Sequence, residues 1–189
     1  MRRLIFLLVF LVFIPFLAAA QTSGVMPDWE VREAAAALEK HTKVVEGLLN
    51  QLKPEDWVAQ GAPQLYVEQL KQAKLYNSYL TRQAAMLSAQ PDKLSVALDV
   101  LFRLDSLHSL LESLTDGTRR HQNPDLADLL ASAMSQNSAT RERLREYTRE
   151  LAVEREKEWQ IANEEAQRCR GTLATRPPRP ARKPAASKQ

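Results

Sequence analysis

The chain has 189 residues, enough for one ordinary domain, and carries a formal charge of +3. Five glycines and no alternating runs of β-branched residues argue against a sheet. Ala, Leu, Glu, Gln, Arg and Lys dominate, residues that lose little on entering a helix, so the expected class is all-α. One cysteine, Cys169, excludes an intramolecular disulfide, and no Asn-x-Ser/Thr sequon or Cys-x-x-Cys-His motif occurs.

Residues 1–20 read as a signal peptide. Arg2 and Arg3 precede an apolar run from Leu4 to Leu17, and Ala18-Ala19-Ala20 supplies the small residues of a cleavage site before Gln21. The expected location is therefore exported, periplasmic or extracellular. No later run is apolar enough to span a membrane, so no transmembrane segment is expected after cleavage. The leader's two arginines lower the mature charge to +1. The last acid is Glu165, and seven cations follow it, so the body carries 17 cations against 23 acids, net −6, ahead of a +7 tail.

After a short linker, 21–27, the helical bundle domain is expected over 28–170. The first helix is predicted from Asp28, as its cap, to Leu52, with Val31, Ala35, Leu38, Thr42, Val45, Leu49 and Leu52 on one face. Lys53 to Pro63 holds Pro54, Gly61 and Pro63 and reads as a break. A second helix follows from about Gln64 to Ala89, with Tyr66, Leu70, Ala73, Asn77, Leu80, Ala84 and Leu87 in one stripe. Pro91-Asp92 turns the chain into a third helix, Lys93 to Thr115. Its main face is Leu94, Ala97, Leu98, Leu101, Leu104 and Leu111. Val96, Val100, Leu107, Leu110 and Leu114 widen that face enough to meet more than one neighbour.

Asp116-Gly117 is predicted to end this helix, and Thr118–Pro124 to form a polar loop. A fourth helix is predicted unbroken from Asp125 to Arg170, because Leu126, Leu130, Ala133, Thr140, Leu144, Tyr147 and Leu151 keep phase across Asn137-Ser138. Residues 171–189 are rich in Pro and Arg and read as a disordered basic tail. Short connections make the expected assembly an up-down-up-down four-helix bundle. At about 1.5 Å per residue the last helix would outrun the first by roughly 30 Å, past the end where the mature N-terminus lies.

Few residues suggest chemistry. Asp105, His108 and Glu112 share a face of the third helix, but Asp105-x-x-His108 is half of the paired motif that carboxylate-bridged metal bundles use. A haem held by Met26 or Met86 and a histidine is the other cofactor reading, and no spacing singles out such a pair. No nucleophile elbow or phosphate loop occurs. Neither a cofactor nor an enzymatic activity is expected, and nucleic acid is not an expected partner for an exported chain. The basic tail suits an anionic surface.

Two places suit a partner. In the overhang, Ala152, Trp159, Ala162, Ala166 and Cys169 form a narrow stripe for a partner helix or a second copy. At one end of the bundle, the two loops bring Glu55, Asp56 and Trp57 toward Arg119, Arg120 and His121, where Trp57 would cover the core. The first reading is a non-enzymatic helical interaction or structural protein. The alternative is a periplasmic ligand-, haem- or metal-binding bundle.

Overall fold

The computed structural model describes residues 25–174, the side chain of Leu173 excepted. The predicted signal peptide, most of the linker and the tail from 175 onward lie outside the described residues. The described residues form six helices joined by short turns: α1 Asp28–Leu49, α2 Pro54–Ala59, α3 Leu65–Ala89, α4 Leu94–His121, α5 Pro124–Gln136 and α6 Ser138–Ala174. Among the described residues no helix is long and apolar enough to cross a membrane. Helix α3 packs on α1 and α4, while α5 and α6 together fill the fourth position between α4 and α1. The result is a four-helix bundle with a long C-terminal helix.

The periodicity that makes these helices amphipathic also fills the core. Val31, Ala35, Leu38, Val45 and Leu49 of α1 are at most 1% exposed, and Leu70, Ala73, Leu80, Ala84 and Leu87 face them from α3. On α4, Val96, Val100, Leu107 and Leu114 of the set expected to widen the face are as deeply buried as Ala97, Leu104 and Leu111 of the main face. Leu94, Leu98 and Leu101 are half-buried. The physical reason is that α4 is wedged between α3 and the α5–α6 pair, so its mid-line points between two neighbours.

Several predicted boundaries are corrected. Asp28 is the first helical residue and not the cap. Pro27 occupies the cap position, and its carbonyl accepts the N–H groups of Glu30 and Val31 at 2.9 and 3.2 Å. Helix α1 ends at Leu49 rather than Leu52. The expected break at 53–63 contains α2, with Pro54 preset for the first turn and Glu55 and Asp56 favoured by the helix dipole. Gly61, at φ 96°, reverses the chain toward α3.

The Asp116-Gly117 stop and the polar loop are also overturned, because α4 runs through Gly117 to His121. Gly117 serves packing instead. A Cβ there would lie 2.8 Å from Tyr66 Cε1 and 2.9 Å from Trp57 Cζ3, so only glycine lets those rings sit on the helix. The real connection is Gln122-Asn123. The Asn123 side chain accepts the Asp125 N–H at 2.8 Å and caps α5, with Pro124 in its first turn.

The fourth helix is not unbroken. Asn137 interrupts it for one residue, although its N–H still reaches the Ala133 carbonyl at 3.3 Å and its carbonyl accepts the Arg141 N–H at 3.0 Å. Helix α6 then extends to Ala174, past Gly171. It leaves the bundle beside the start of α1 and the 90–93 turn. There Arg143 reaches Glu30 at 3.2 Å and the buried Tyr147 hydroxyl donates to the Pro91 carbonyl. Burial, and next the nearby Asp28 and Asp92 carboxylates, push the Tyr147 phenol up to about 12, which keeps it a donor.

Candidate functional site

Three regions contain the residues singled out in the sequence. At the end where α1 stops, Trp57 of α2 is fully buried and its ring is edge-on to Tyr66, with centroids 5.5 Å apart. His121 stacks on Trp57 at 6.4 Å and 28°. Gln122, which nothing in the sequence marked, ties the end together. Its Oε1 accepts both the Trp57 indole N–H and the Lys53 backbone N–H at 3.1 Å, while its Nε2 donates to the Gln51 carbonyl at 2.9 Å. Arg119 pairs with Asp128 of α5 at 2.8 Å. Arg120, Glu55 and Asp56 are exposed, and neither of these acids makes an ion pair among the described residues. The buried Trp57 and the half-buried His121 therefore meet in an aromatic cluster, while the charges face solvent.

The Asp105, His108 and Glu112 side chains do not converge. The Asp105 carboxylate accepts from Arg145 of α6 at 3.0 and 3.3 Å, and His108 Nε2 lies 3.3 Å from Glu112 Oε1. Among the described residues no three His, Cys, Asp or Glu side chains are grouped to hold a metal ion.

His108 does meet something the sequence reading missed. At the Asn137 break a small cavity of about 10 Å³ opens between helices, lined by Leu104, Leu107, His108 and Leu111 of α4 together with His41 of α1, Met134, Asn137, Ser138 and Arg141. Helices α1 and α4 lie on either side of the α5–α6 junction, so the three come together only once the register of all three helices is fixed. The visible signal was the polar pair Asn137-Ser138 inside an apolar stripe.

Burial lowers the His41 pKa below the ordinary 6.5, favouring the neutral ring in the folded chain. In mild acid the folded chain then binds fewer protons than the unfolded one. His41 contributes stability above pH 6.5 that is lost as pH falls through its folded pKa. Thermal melts of the native chain and of His41→Gln, compared between about pH 8 and pH 5, should show a shallower loss in the variant. Parallel curves would mean that His41 titrates alike in both states.

The third region is the projecting helix. Leu151 is the last buried residue of α6, and every residue from Glu156 to Thr172 is exposed. Trp159 is 68% and Ile161 60% exposed, and Ala162, Ala166 and Cys169 are exposed with them. The 19 residues from Glu156 to Ala174 reach about 28 Å.

Compared with protein-family models, curated proteins and solved structures, the chain matches none of them.

Proposed function

We propose that the chain is an exported, non-enzymatic interaction protein whose bundle holds out the end of α6 for a protein partner. The observation that carries this reading is the exposure of Trp159 on the part of α6 that runs past the bundle, where every residue from Glu156 to Thr172 is exposed. A free helix of this length is marginal in water, but one grown from a docked helix needs no nucleus. Ion pairs along it, Arg155–Glu158 at 2.6 Å and Arg168–Glu164 at 3.6 Å, add only a few tenths of a kcal/mol each. The stripe Ala152, Trp159, Ala162, Ala166 and Cys169 repeats close to every 3.5 residues, the period at which two helices coil around each other. Burying an exposed Trp is worth on the order of 2–3 kcal/mol, and such residues commonly anchor interfaces. The leader read from residues 1–20 supports export.

A photo-crosslinking residue at position 159, in cells making the protein, should capture a discrete partner or a second copy. The same residue at the exposed Leu129 of α5 should not. Ending the chain after Arg155 removes no core contact, so its effect on stability should stay within about 0.5 kcal/mol while capture is lost. Equal capture from both positions, or none from either, would overturn the proposal.

A further inference from the structure

Between α1 and α3 lies an acceptor that the fold leaves unused. Asn77 of α3 is 4% exposed, and its Nδ2 donates to the Thr42 carbonyl of α1 at 2.9 Å. That contact fixes which way the amide faces, because the flipped amide would set oxygen against oxygen. Its Oδ1 therefore turns away from that carbonyl, closed to solvent and with no partner among the described residues. The neighbouring hydroxyls cannot supply the missing donor, since each has one proton. Thr42 donates to the Glu39 carbonyl at 2.9 Å and Ser78 to the Leu75 carbonyl at 2.8 Å. Thr81 is directed at Thr42 Oγ1, at 2.9 Å, and at the Asn77 carbonyl, at 3.1 Å. Buried amide groups are nearly always paired, so an orphaned one calls for a donor from outside the chain.

A second observation is that Asn77 lines a groove of about 310 Å³ between the two helices, against about 10 Å³ at the Asn137 break. Small-molecule sites begin at about 300 Å³, so this one has room for a small ligand. Helices α1 and α3 are antiparallel here, because Arg32 reaches Ser88 while Thr42 meets Asn77 and Thr81. Glu46, one turn beyond Thr42, and Lys74, about one turn before Asn77, therefore line the groove at the same level. No ion pair joins them, and neither side chain has another partner among the described residues. Exposed charges need no ligand by themselves, since water solvates them. Here they flank a buried acceptor that water does not reach. Leu49 of α1, fully buried, gives the groove its apolar part. Asn50 lies at the Glu46 end, and Arg82 at the other, with its guanidinium 4.7 Å from the Tyr79 ring centroid.

We propose that this groove binds a free α-amino acid. Its ammonium would donate to Asn77 Oδ1 and to the Glu46 carboxylate, and its carboxylate would pair with Lys74, which answers both signs of charge at the rim. An apolar side chain would lie against Leu49. The donor reaches Oδ1 once the rim side chains turn aside, and Glu46 and Lys74 are exposed and held by no other group among the described residues. A metal ion does not suit a groove with one carboxylate beside two cations.

The test titrates the purified chain with L-leucine at about pH 6.5, where a free α-amine is protonated. L-leucinamide, which lacks the carboxylate, and N-acetyl-L-leucine, which lacks the ammonium, serve as controls. The Asn77 side-chain amide is followed by NMR and the heat of binding by calorimetry. L-leucine should saturate both signals, and each blocked analogue should bind at least about tenfold more weakly, since a charge-assisted contact is lost. Asn77→Leu should weaken L-leucine binding about tenfold or more while circular dichroism shows the same helix content. Glu46→Gln, at an exposed position, should weaken it by a similar factor and decides the matter if Asn77→Leu folds poorly. Shifts that stay linear with concentration, L-leucinamide binding as tightly as L-leucine, or equal L-leucine binding in Glu46→Gln would overturn the proposal.

Discussion

Trp57→Ala should destabilise the protein by about 3–5 kcal/mol, the range for emptying a fully buried large aromatic. For a chain of this size that lowers the melting temperature by roughly 6–20 °C. Two effects add. The indole leaves a hollow beneath α2, and Gln122 loses one of the two donors that its Oε1 accepts. Trp57→Phe separates them. It keeps most of the ring against Tyr66 while removing the N–H, and should cost about 1–2 kcal/mol. Gly117 gives an internal check, because its missing Cβ is the space that the Trp57 and Tyr66 rings occupy. In the native background Gly117→Ala should destabilise, against the usual gain of up to about 1 kcal/mol for this change in a helix. In the Trp57→Ala background the crowding is partly relieved, so the two substitutions should be strongly non-additive. Additive effects measured by chemical denaturation would mean that Trp57 does not bear on α4 at Gly117.

That glycine also shows what the sequence could and could not convey. Apolar spacing along one helix is a local property, and it identified the buried faces of α1, α3 and α5–α6 by residue. Leu126, Leu130, Ala133, Leu144, Tyr147 and Leu151 are buried as the stripe required, and Thr140 of the same stripe is half-buried. Punctuation is less local. Asp-Gly resembles a helix stop, but Gly117 is set by rings that arrive from 51 and 60 residues earlier in the chain. Asn137 kept the apolar phase on either side, so the stripe alone could not register a one-residue break. Helix α2 was legible in principle, since Pro54, Glu55 and Asp56 are a helix-start signature that the nearby Gly61 and Pro63 obscured. Gln122 and the His41–His108–Arg141 grouping depend on the register between distant helices, which no single-helix period encodes. The exposed end of α6 was legible from length alone.

The polar layer between α1 and α3 supports the second large effect. Asn77 is 4% exposed and its Nδ2 donates to the Thr42 carbonyl at 2.9 Å, while its Oδ1 is buried with no partner. Thr81 Oγ1 lies 2.9 Å from Thr42 Oγ1, and Thr42 in turn donates to the Glu39 carbonyl at 2.9 Å. Asn77→Asp keeps the shape but turns the donor into a second acceptor and adds a buried charge facing the Thr42 carbonyl. At neutral pH it should cost about 3–5 kcal/mol, as breaking a buried polar pairing does. Burial raises the carboxyl's pKa in the folded state, so the folded variant binds more protons than the unfolded one. Its deficit relative to the native chain should therefore shrink as pH falls, when the protonated acid can again donate to Thr42. Asn77→Leu makes the opposite change. It removes the orphaned oxygen along with the hydrogen bond, and the Thr42 carbonyl still lies within α1. The expected cost is below about 1 kcal/mol, or a small gain, since a half-satisfied polar group in a core is often worse than an apolar one. Urea denaturation of the three proteins at neutral and mildly acidic pH distinguishes the outcomes. A large loss in Asn77→Leu would mean that the amide holds α1 and α3 in register rather than merely being tolerated between them.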